Sequence, residues 1–526
     1  MLQKKFKLSR KNTSKHLTNR KSPNNRAKNG GLSAYLRKGD SMLGIWRSHE
    51  DYQHRMIDSV SKMFKRNPKS IANHETAILK MYHLDLDCIK EDFIPLFSST
   101  GKPSNHQPEL FRSFILMSHY KHSSIDEWVA YASVSPIICA LVGTSQDNFP
   151  GASTHRDFID RLWMADKSNR IKSKKTKPKG KHGKGKAPPK RPGITAYMVK
   201  KALSGKVFKA IPERLLQSIF TKTAVLPSAN AGLLGNVSKL VVSADGTCVE
   251  SHASPYGHRA CDCNGLCSCP RRFADPDATW GWDSYHERWF YGYTAYLLSV
   301  HNKDKKLDLP IYMRFVEAGR YDGVTLIAAL AHAGHLFRDI FAFDSLLADS
   351  AHDNYPTYDL LKQWRIKPFI DLNKRSDINP KPDILQLSEN GIPVCADGHE
   401  MTNWGIMWKS YRIKYRCPLA TGKIKSCSYD SNCNKSSYGK IVYKRLAADI
   451  RLLTPVPRES PEWAETYKLR TASERVNNRI LTDYKLEPAK RYGKAKITSF
   501  AFWNAINVHL DAMVKHLFCK VDALLV

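Results

Sequence analysis

The sequence predicts an α/β fold, on three observations. The first is residues 239–247, with LVVSADGT at their core. This short apolar run, rich in β-branched residues and ending in Ala-Asp-Gly, reads as a buried strand entering a tight turn. The second is the alternation that follows. Residues 289–302 (WFYGYTAYLLSVHN) and 309–317 (LPIYMRFVE) read as adjacent strands, 322–336 as an alanine-rich helix, and 341–349 (FAFDSLLAD) as another buried strand. A helix over 355–364 and a strand over 368–373 complete the series. The third is that Asp245 and Asp349 end the first and fourth strands. If those strands are parallel neighbours, both carboxylates reach the sheet rim where open α/β sheets place their sites.

Each element has its own justification. The first strand is apolar on both sides, which places it mid-sheet with helices on each face. Asp-Gly on its own asks for nothing more than a turn. The pair of aspartates carries more weight than either alone. Before this region, residues 71–163 read as helical. ELFRSFILMSHY (109–120) has apolar residues at helical spacing, and Ser124 with Glu127 forms a capping-box start for a helix from Trp128 to Leu141. Thr154 with Asp157 opens a further helix. A structural bundle and a DNA-contacting domain both fit this segment.

The chain has 526 residues, enough for two to four domains, and a formal charge of +34. That excess implies a polyanionic partner, nucleic acid first and an anionic membrane surface second. No apolar run reaches transmembrane length and no signal peptide is evident at Met1, so a cytoplasmic, nucleoid-associated protein with no membrane partner is expected. The charge is concentrated. Residues 1–30 hold ten Lys and Arg and no acid, and residues 172–191 (KSKKTKPKGKHGKGKAPPKR) hold ten more and no acid. Neither stretch has the apolar content to fold alone. The expected organisation is a basic disordered arm (1–50), a helical N-terminal domain (51–168), a basic linker (169–195) and a catalytic domain (196–526) interrupted at about 374–457 by an inserted subdomain.

Twelve cysteines are present, and two stretches hold most of them. Cys261, Cys263, Cys267 and Cys269 crowd four thiols into nine residues; a zinc site and a thiol-rich loop both fit, with paired C-x-C spacing tight for one tetrahedral ion. Cys395, Cys417, Cys427 and Cys433 lie in the insertion with Trp404, Trp408, Tyr411 and Tyr415. They are candidate ligands for one structural Zn²⁺, with scattered buried thiols as the alternative.

Near the C-terminus, Ser460-Pro461-Glu462 is a helix start: cap, Pro at the first position, acid in the first turn. The helix continues as WAETYKLRTASERVNNRIL. Tyr467, Arg470 and Glu474 fall at i, i+3 and i+7 and share a face, flanked by Trp463, Asn477 and Asn478. A surface Arg–Glu pair explains two of them but not the tyrosine. Residues 499–518 read as a final amphipathic helix that packs the core. Two strand-end aspartates and a helical glutamate can hold two hard cations, Mg²⁺ or Mn²⁺, as in-line displacement at phosphorus requires.

Asp245 in SADGT, Asp349 in LLADSAHD and Tyr467-x-x-Arg470-x-x-x-Glu474 resemble the DDE transposases of bacterial insertion sequences, nearest the IS4, IS5 and IS1182 types. The Tyr-Arg-Glu part is similar to the family's Y-(2)-R-(3)-E-(6)-K signature. Leu481 stands at the place of the final lysine, and Lys485 lies one turn further on. DPDATWGWDSYHERWFYGY (275–293) resembles the segment before the family's second strand, and 109–163 its helical domain. The likeness covers roughly residues 105–518. The spacing, 104 residues between the aspartates and 125 more to Glu474, leaves room for an insertion such as IS4-like members carry.

The resemblance implies an RNase H-like catalytic domain that binds terminal inverted repeats as a homo-oligomer. Water would cleave the phosphodiester, and the released 3′-OH would attack target DNA. Asp245 would bridge two Mg²⁺ ions, with Asp349 and Glu474 each completing one shell; Tyr467, Arg470 and Lys485 would contact DNA phosphates. Two alternatives are an RNase H-like metal-dependent nuclease or resolvase, and an inactive transposase-derived DNA-binding protein.

A first prediction concerns the basic arm. Each phosphate neutralised releases counterions, so affinity falls with salt by a slope of about 0.9 per contact. Deleting residues 1–30 should weaken binding to all DNA sequences alike and flatten that slope. Titrations at several salt concentrations check it; parallel slopes for full-length and truncated protein would discard the arm.

Overall fold

The computed structural model describes residues 43–517 except 68, 98–99, 101, 164–170, 173–192, 207, 209–212, 260, 264–268, 285, 374–385, 411, 429–432, 434–435 and 446–449. Most of the basic arm, nearly all of the basic linker, Cys267 and Tyr411 therefore lie outside the described residues. What is described is a mixed α/β structure.

The helical segment comprises α1 (His49–Arg66), α2 (Glu75–His83), α3 (Gln107–His119), α4 (Ile125–Ser133), α5 (Pro136–Val142) and α6 (Ala152–Leu162). Ser48 caps α1 by accepting from the Asp51 N–H, and the helix carries acids in its first turn and bases in its last. Ser124 caps α4 through the Glu127 N–H. The helix expected from Trp128 to Leu141 is in fact two. Pro136 cannot continue α4, Ser135 caps a new start, and α5 leaves at 109°. α6 begins at Ala152 behind Gly151, two residues before the expected Thr154.

Next come α7 (Ile194–Leu203) and α8 (Glu213–Phe220), then β1 (Leu240–Glu250), β2 (Thr279–Asp283), β3 (Arg288–Asn302), β4 (Leu307–Glu317), α9 (Asp322–Leu336), β5 (Phe343–Ala348), α10 (Tyr355–Trp364) and β6 (Lys367–Ile370). β1 lies at the centre of their sheet. On one side it pairs antiparallel with β3, which itself pairs antiparallel with β2 along one part of its length and β4 along the other. On the other side β1 pairs parallel with β5, and β5 parallel with β6.

One expectation is corrected here. The chain makes no turn at Asp245-Gly246. β1 runs on to Glu250, because β3 stays paired with it from Val300 to Gly292. Gly292 permits this: a Cβ there would sit 2.2 Å from the Val249 carbonyl oxygen. Asp245 is therefore mid-strand. It lies beyond Ser243, the last β1 residue paired with β5.

The insertion builds its own small core. β7 (Thr402–Met407), β8 (Arg412–Arg416) and β9 (Ile441–Arg445) form an antiparallel sheet, and Ile413, Tyr415, Met401, Ile392 and Leu453 are buried together. Arg451 anchors it to the main body through a buried ion pair with Asp353 at 2.5 Å. The chain then returns through α11 (Pro461–Tyr467) and α12 (Thr471–Asn478), joined by a 3₁₀ turn, and ends in α13 (Lys494–His516). α13 was expected to be amphipathic. It is buried on all sides from Ile497 to Leu510, the central rod of the molecule.

The N-terminal helices and the sheet share one core through α13. Phe114 stacks on Trp503 with centroids 4.0 Å apart, and Asn507 donates to the Ile115 carbonyl at 2.9 Å. Lys80, fully buried, meets Asp511 at 2.6 Å and Asn507 Oδ1 at 2.9 Å. Asp511 also receives Arg479 and the Tyr484 hydroxyl. Among the described residues no single helix is long and apolar enough to cross a membrane.

Removing one member of a buried ion pair strands the other, at a cost of about 3–5 kcal/mol. Asp511→Ala should therefore lower unfolding free energy by that order, and Lys80→Met combined with Asp511→Leu by clearly less. Denaturant titrations check both.

Candidate active site

The site forms where β5 stops and β1 continues. β5 ends at Ala348, and Asp349 follows as the cap of a 3₁₀ turn, accepting from the Ala351 N–H at 3.1 Å. Asp245 lies on the neighbouring strand with its side chain towards α12. Two contacts fix that direction: Asn477 of α12 donates to Asp245 Oδ2 at 3.2 Å, and Ser243, two residues earlier on the same face, donates to the Arg470 carbonyl at 2.8 Å. The two aspartates feel one another. Burial, with the charge of Asp349 added, pushes the Asp245 carboxyl up to about 7. Burial acts upward on Asp349 too, but the hydrogen bond and charge of His352, the Ala351 N–H and Arg470 outweigh it and hold that carboxyl below its usual value.

His352 was not singled out in the sequence. It is buried, its Nδ1 lies 2.6 Å from Asp349 Oδ1, and its Nε2 lies 2.7 Å from the buried Tyr296 hydroxyl. With Nδ1–H donating to the carboxylate, Nε2 is left to accept from the tyrosine. A second unforeseen member is Asp322, the first residue of α9. Burial raises its carboxyl, opposed by His352 and reinforced by Asp349. It approaches from the opposite face of β1, over Gly246. A Cβ on Gly246 would meet Asp322 Oδ1 at 3.1 Å and Thr294 Cγ2 at 3.0 Å, so the glycine lets both side chains approach the strand closely. Both residues had a local signal, the SAHD after Asp349 and the Tyr-Asp-Gly that opens a helix. Neither signal says which carboxylates meet.

The Tyr-Arg-Glu set is brought to the same place, with one qualification in geometry. Ser460 caps α11 through the Trp463 N–H, as the sequence led us to expect. Tyr467 stacks on Trp463 at 4.4 Å between ring centroids. Burial, with Asp371 next, pushes its hydroxyl up to about 12. The Arg470 guanidinium acts on both Asp245 and Asp349 and pairs with Glu474 at 2.6 Å. Glu474, half exposed, thus stands behind Arg470. Among the described residues Asp245, Asp349 and Glu474 do not gather their oxygens within 4.8 Å of one another as ligands of a single ion would. Lys485 is not brought in. Leu481 is buried, the helical run ends, and Lys485 takes a left-handed backbone (φ 51°) with its charge beside His122. The helical run ends at Asp483, so Lys485 does not continue it one turn beyond Leu481.

The segment 275–293 is structural at its start. Asp275, buried, accepts from the Ser251 hydroxyl at 2.6 Å, the Gly493 N–H at 2.9 Å and the Tyr293 hydroxyl. The insertion cysteines Cys395, Cys417, Cys427 and Cys433 line one cavity of about 230 Å³, together with Asp397. Among the described residues the group of three or more thiols that comes within 4.8 Å of one another is instead Cys261, Cys263 and Cys269, a set that can hold a metal such as zinc. This reverses the order of the two cysteine groups expected from spacing.

No protein-family model and no curated protein matches the chain. The residues themselves must carry the functional argument.

Their chemistry suits a hard divalent cation: oxygen donors, negative in sum, with Asp245 and Asp322 raised by burial and by the charge of Asp349. Because the folded-state value of Asp245 lies above its ordinary 3.8, protonation of this residue favours the fold at low pH, and that contribution is lost as pH rises through about 7. Asp245→Asn should therefore raise the melting temperature of metal-free protein at pH 8, relieving a repulsion worth about 1 kcal/mol or more. Added Mg²⁺ should raise the melting temperature of the native sequence and leave the variant nearly unmoved. Differential scanning fluorimetry reads both; equal shifts in the two proteins would remove Asp245 from any metal site.

Proposed function

We propose that this chain is a DNA transposase that cleaves the ends of an insertion sequence and joins them to target DNA at a metal-dependent Asp-Asp-Glu site. One observation carries the reading: Asp245 in mid-strand and Asp349 just past the adjacent parallel strand are electrostatically coupled beneath the run of α11, 3₁₀ turn and α12 that bears Tyr467, Arg470 and Glu474 in turn. The sheet, with its first strand central, antiparallel strands on one side and parallel strands on the other, supports an RNase H-like catalytic domain. The charge of +34 supports a DNA partner, and exposed Trp280, Trp282 and Trp289 offer stacking faces to bases.

The chain's own groups divide the work. Asp245 and Asp349, with Glu474, would hold Mg²⁺ or Mn²⁺. The bound ions supply positive charge to the scissile phosphate and lower the pKa of the attacking water. His352, anchored on Tyr296, keeps Asp349 oriented and ionised. Arg470 is a fork that fits a phosphate bidentately. Its present partner Glu474 is half exposed, so exchanging that ion pair for a DNA phosphate costs little and frees the glutamate. Tyr467, protonated at any working pH, donates a neutral hydrogen bond. Asp322 adds negative charge from the far face and strengthens the site's demand for cations.

The DNA flanking the coding region supplies the test substrate. Duplexes carrying its terminal inverted repeats should be cleaved in the presence of Mg²⁺, and precut ends should be joined to a target. Asp245→Asn, Asp349→Asn and Glu474→Gln should each lower cleavage at least a hundredfold, since loss of a charged ligand raises the barrier by several kcal/mol. DNA binding through Lys and Arg should persist. Cleavage without joining would make the protein a nuclease or resolvase; specific binding without cleavage would make it an inactive DNA-binding derivative.

A further inference from the structure

We propose that Cys261, Cys263 and Cys269 bind one Zn²⁺, which staples the hairpin between strands His258–Arg259 and Arg271–Arg272. This assignment is independent of the catalytic reading. The three sulfurs lie within 4.8 Å of one another, and Cys263 Sγ stands 3.8 Å from Cys269 Sγ. In a tetrahedral site with Zn–S of about 2.3 Å, neighbouring sulfurs are about 3.8 Å apart. A disulfide would bring them to about 2.05 Å. The sequence places one more thiol, Cys267, in the intervening segment outside the described residues; the proposal rests on the three described thiols.

The hairpin has a physical need for such a staple. Its strands are two residues each, joined by the pairs His258↔Arg272 and Arg259↔Arg271. None of its described residues from His258 to Arg272 is buried. A two-stranded ribbon that short, without a core, is not stable in water alone. Arg259 reaches the Cys263 carbonyl at 3.2 Å and Arg271 the Gly257 carbonyl at 3.4 Å, the side-chain bonds that tie these strands to their flanking backbone. A third strand, Ile171–Lys172, pairs antiparallel with Arg271–Arg272. The metal therefore fixes a small cationic platform at the point where the basic segment 173–192 begins.

The insertion cysteines line a cavity, but their sulfurs do not converge in this way. The two groups can be separated by experiment. Full-length protein purified without chelators should hold zinc by elemental mass spectrometry. The triple variant Cys261→Ser/Cys263→Ser/Cys269→Ser should lose one equivalent, while Cys395→Ser/Cys417→Ser should keep that equivalent. Cobalt added to metal-stripped native protein should give thiolate charge-transfer bands that the triple variant lacks. Amide hydrogen exchange over 258–272 should speed up at least tenfold on chelation. Should the triple variant be unstable, the single exposed change Cys263→Ser should weaken zinc retention against a competing chelator. Zinc absent from the native protein, full zinc content in the triple variant, or a Cys263–Cys269 disulfide found by non-reducing mass spectrometry would each overturn the proposal.

Discussion

Two carboxylates stand close enough at the rim of one sheet to perturb each other, and backbone pairing between β1 and β5 is what keeps them there. Repulsion alone would drive Asp245 and Asp349 apart. The parallel ladder up to Ser243 and Leu347 fixes the strands, so burial first and the charge of Asp349 second appear as a raised Asp245 carboxyl instead of a displaced one. Every other group at the site can be placed by its response to that charge. His352 leans on Asp349, Asn477 on Asp245, and Arg470 answers both. Asp322 adds to the negative field from the far side of the strand.

Such a site needs a stiff frame, and α13 provides it. A helix buried on all sides cannot shift without disturbing both the N-terminal helices and the sheet. Three of its buried polar side chains are satisfied internally: Asn504 donates to the Ile480 carbonyl, Asn507 to Ile115, and His509 lies 2.7 Å from the Pro310 carbonyl. The Lys80–Asp511 pair crosses from α2 to α13, where it fixes register more than it adds net stability. Glu474 and Arg470 sit at the opposite extreme. They are partly exposed and joined by an i,i+4 ion pair at 2.6 Å.

The two cysteine groups show how spacing misleads. Four cysteines spread through an insertion looked a better zinc set than four crowded into nine residues. Crowding is no obstacle once a hairpin folds the chain back on itself: Cys263 and Cys269 meet across its loop. The insertion cysteines line one cavity, but no three of their sulfurs converge as metal ligands.

β2 was not foreseen, but the sequence by itself determined the α/β order, the strand and helix runs of β1, β3, β4, α9, β5, α10 and β6, the Ser460 cap and the face shared by Tyr467 and Arg470. These follow from local periodicity and capping, which act within a few residues. It also singled out Asp245 and Asp349, because each closes an apolar run with a charge. Tertiary structure alone decided the rest. Asp-Gly became mid-strand, since pairing with β3 outweighs turn propensity. The break of the run after Ser124 is the exception, since Ser135 and Pro136 mark it locally. α13 proved central, which depends on what surrounds it and not on its own pattern. His352 and Asp322 entered the site because β5 ends where it does and Gly246 leaves room, and Lys485 fell outside it because the helix ends first. Contacts between residues far apart in sequence arise from packing, and no local pattern encodes which side chains will meet.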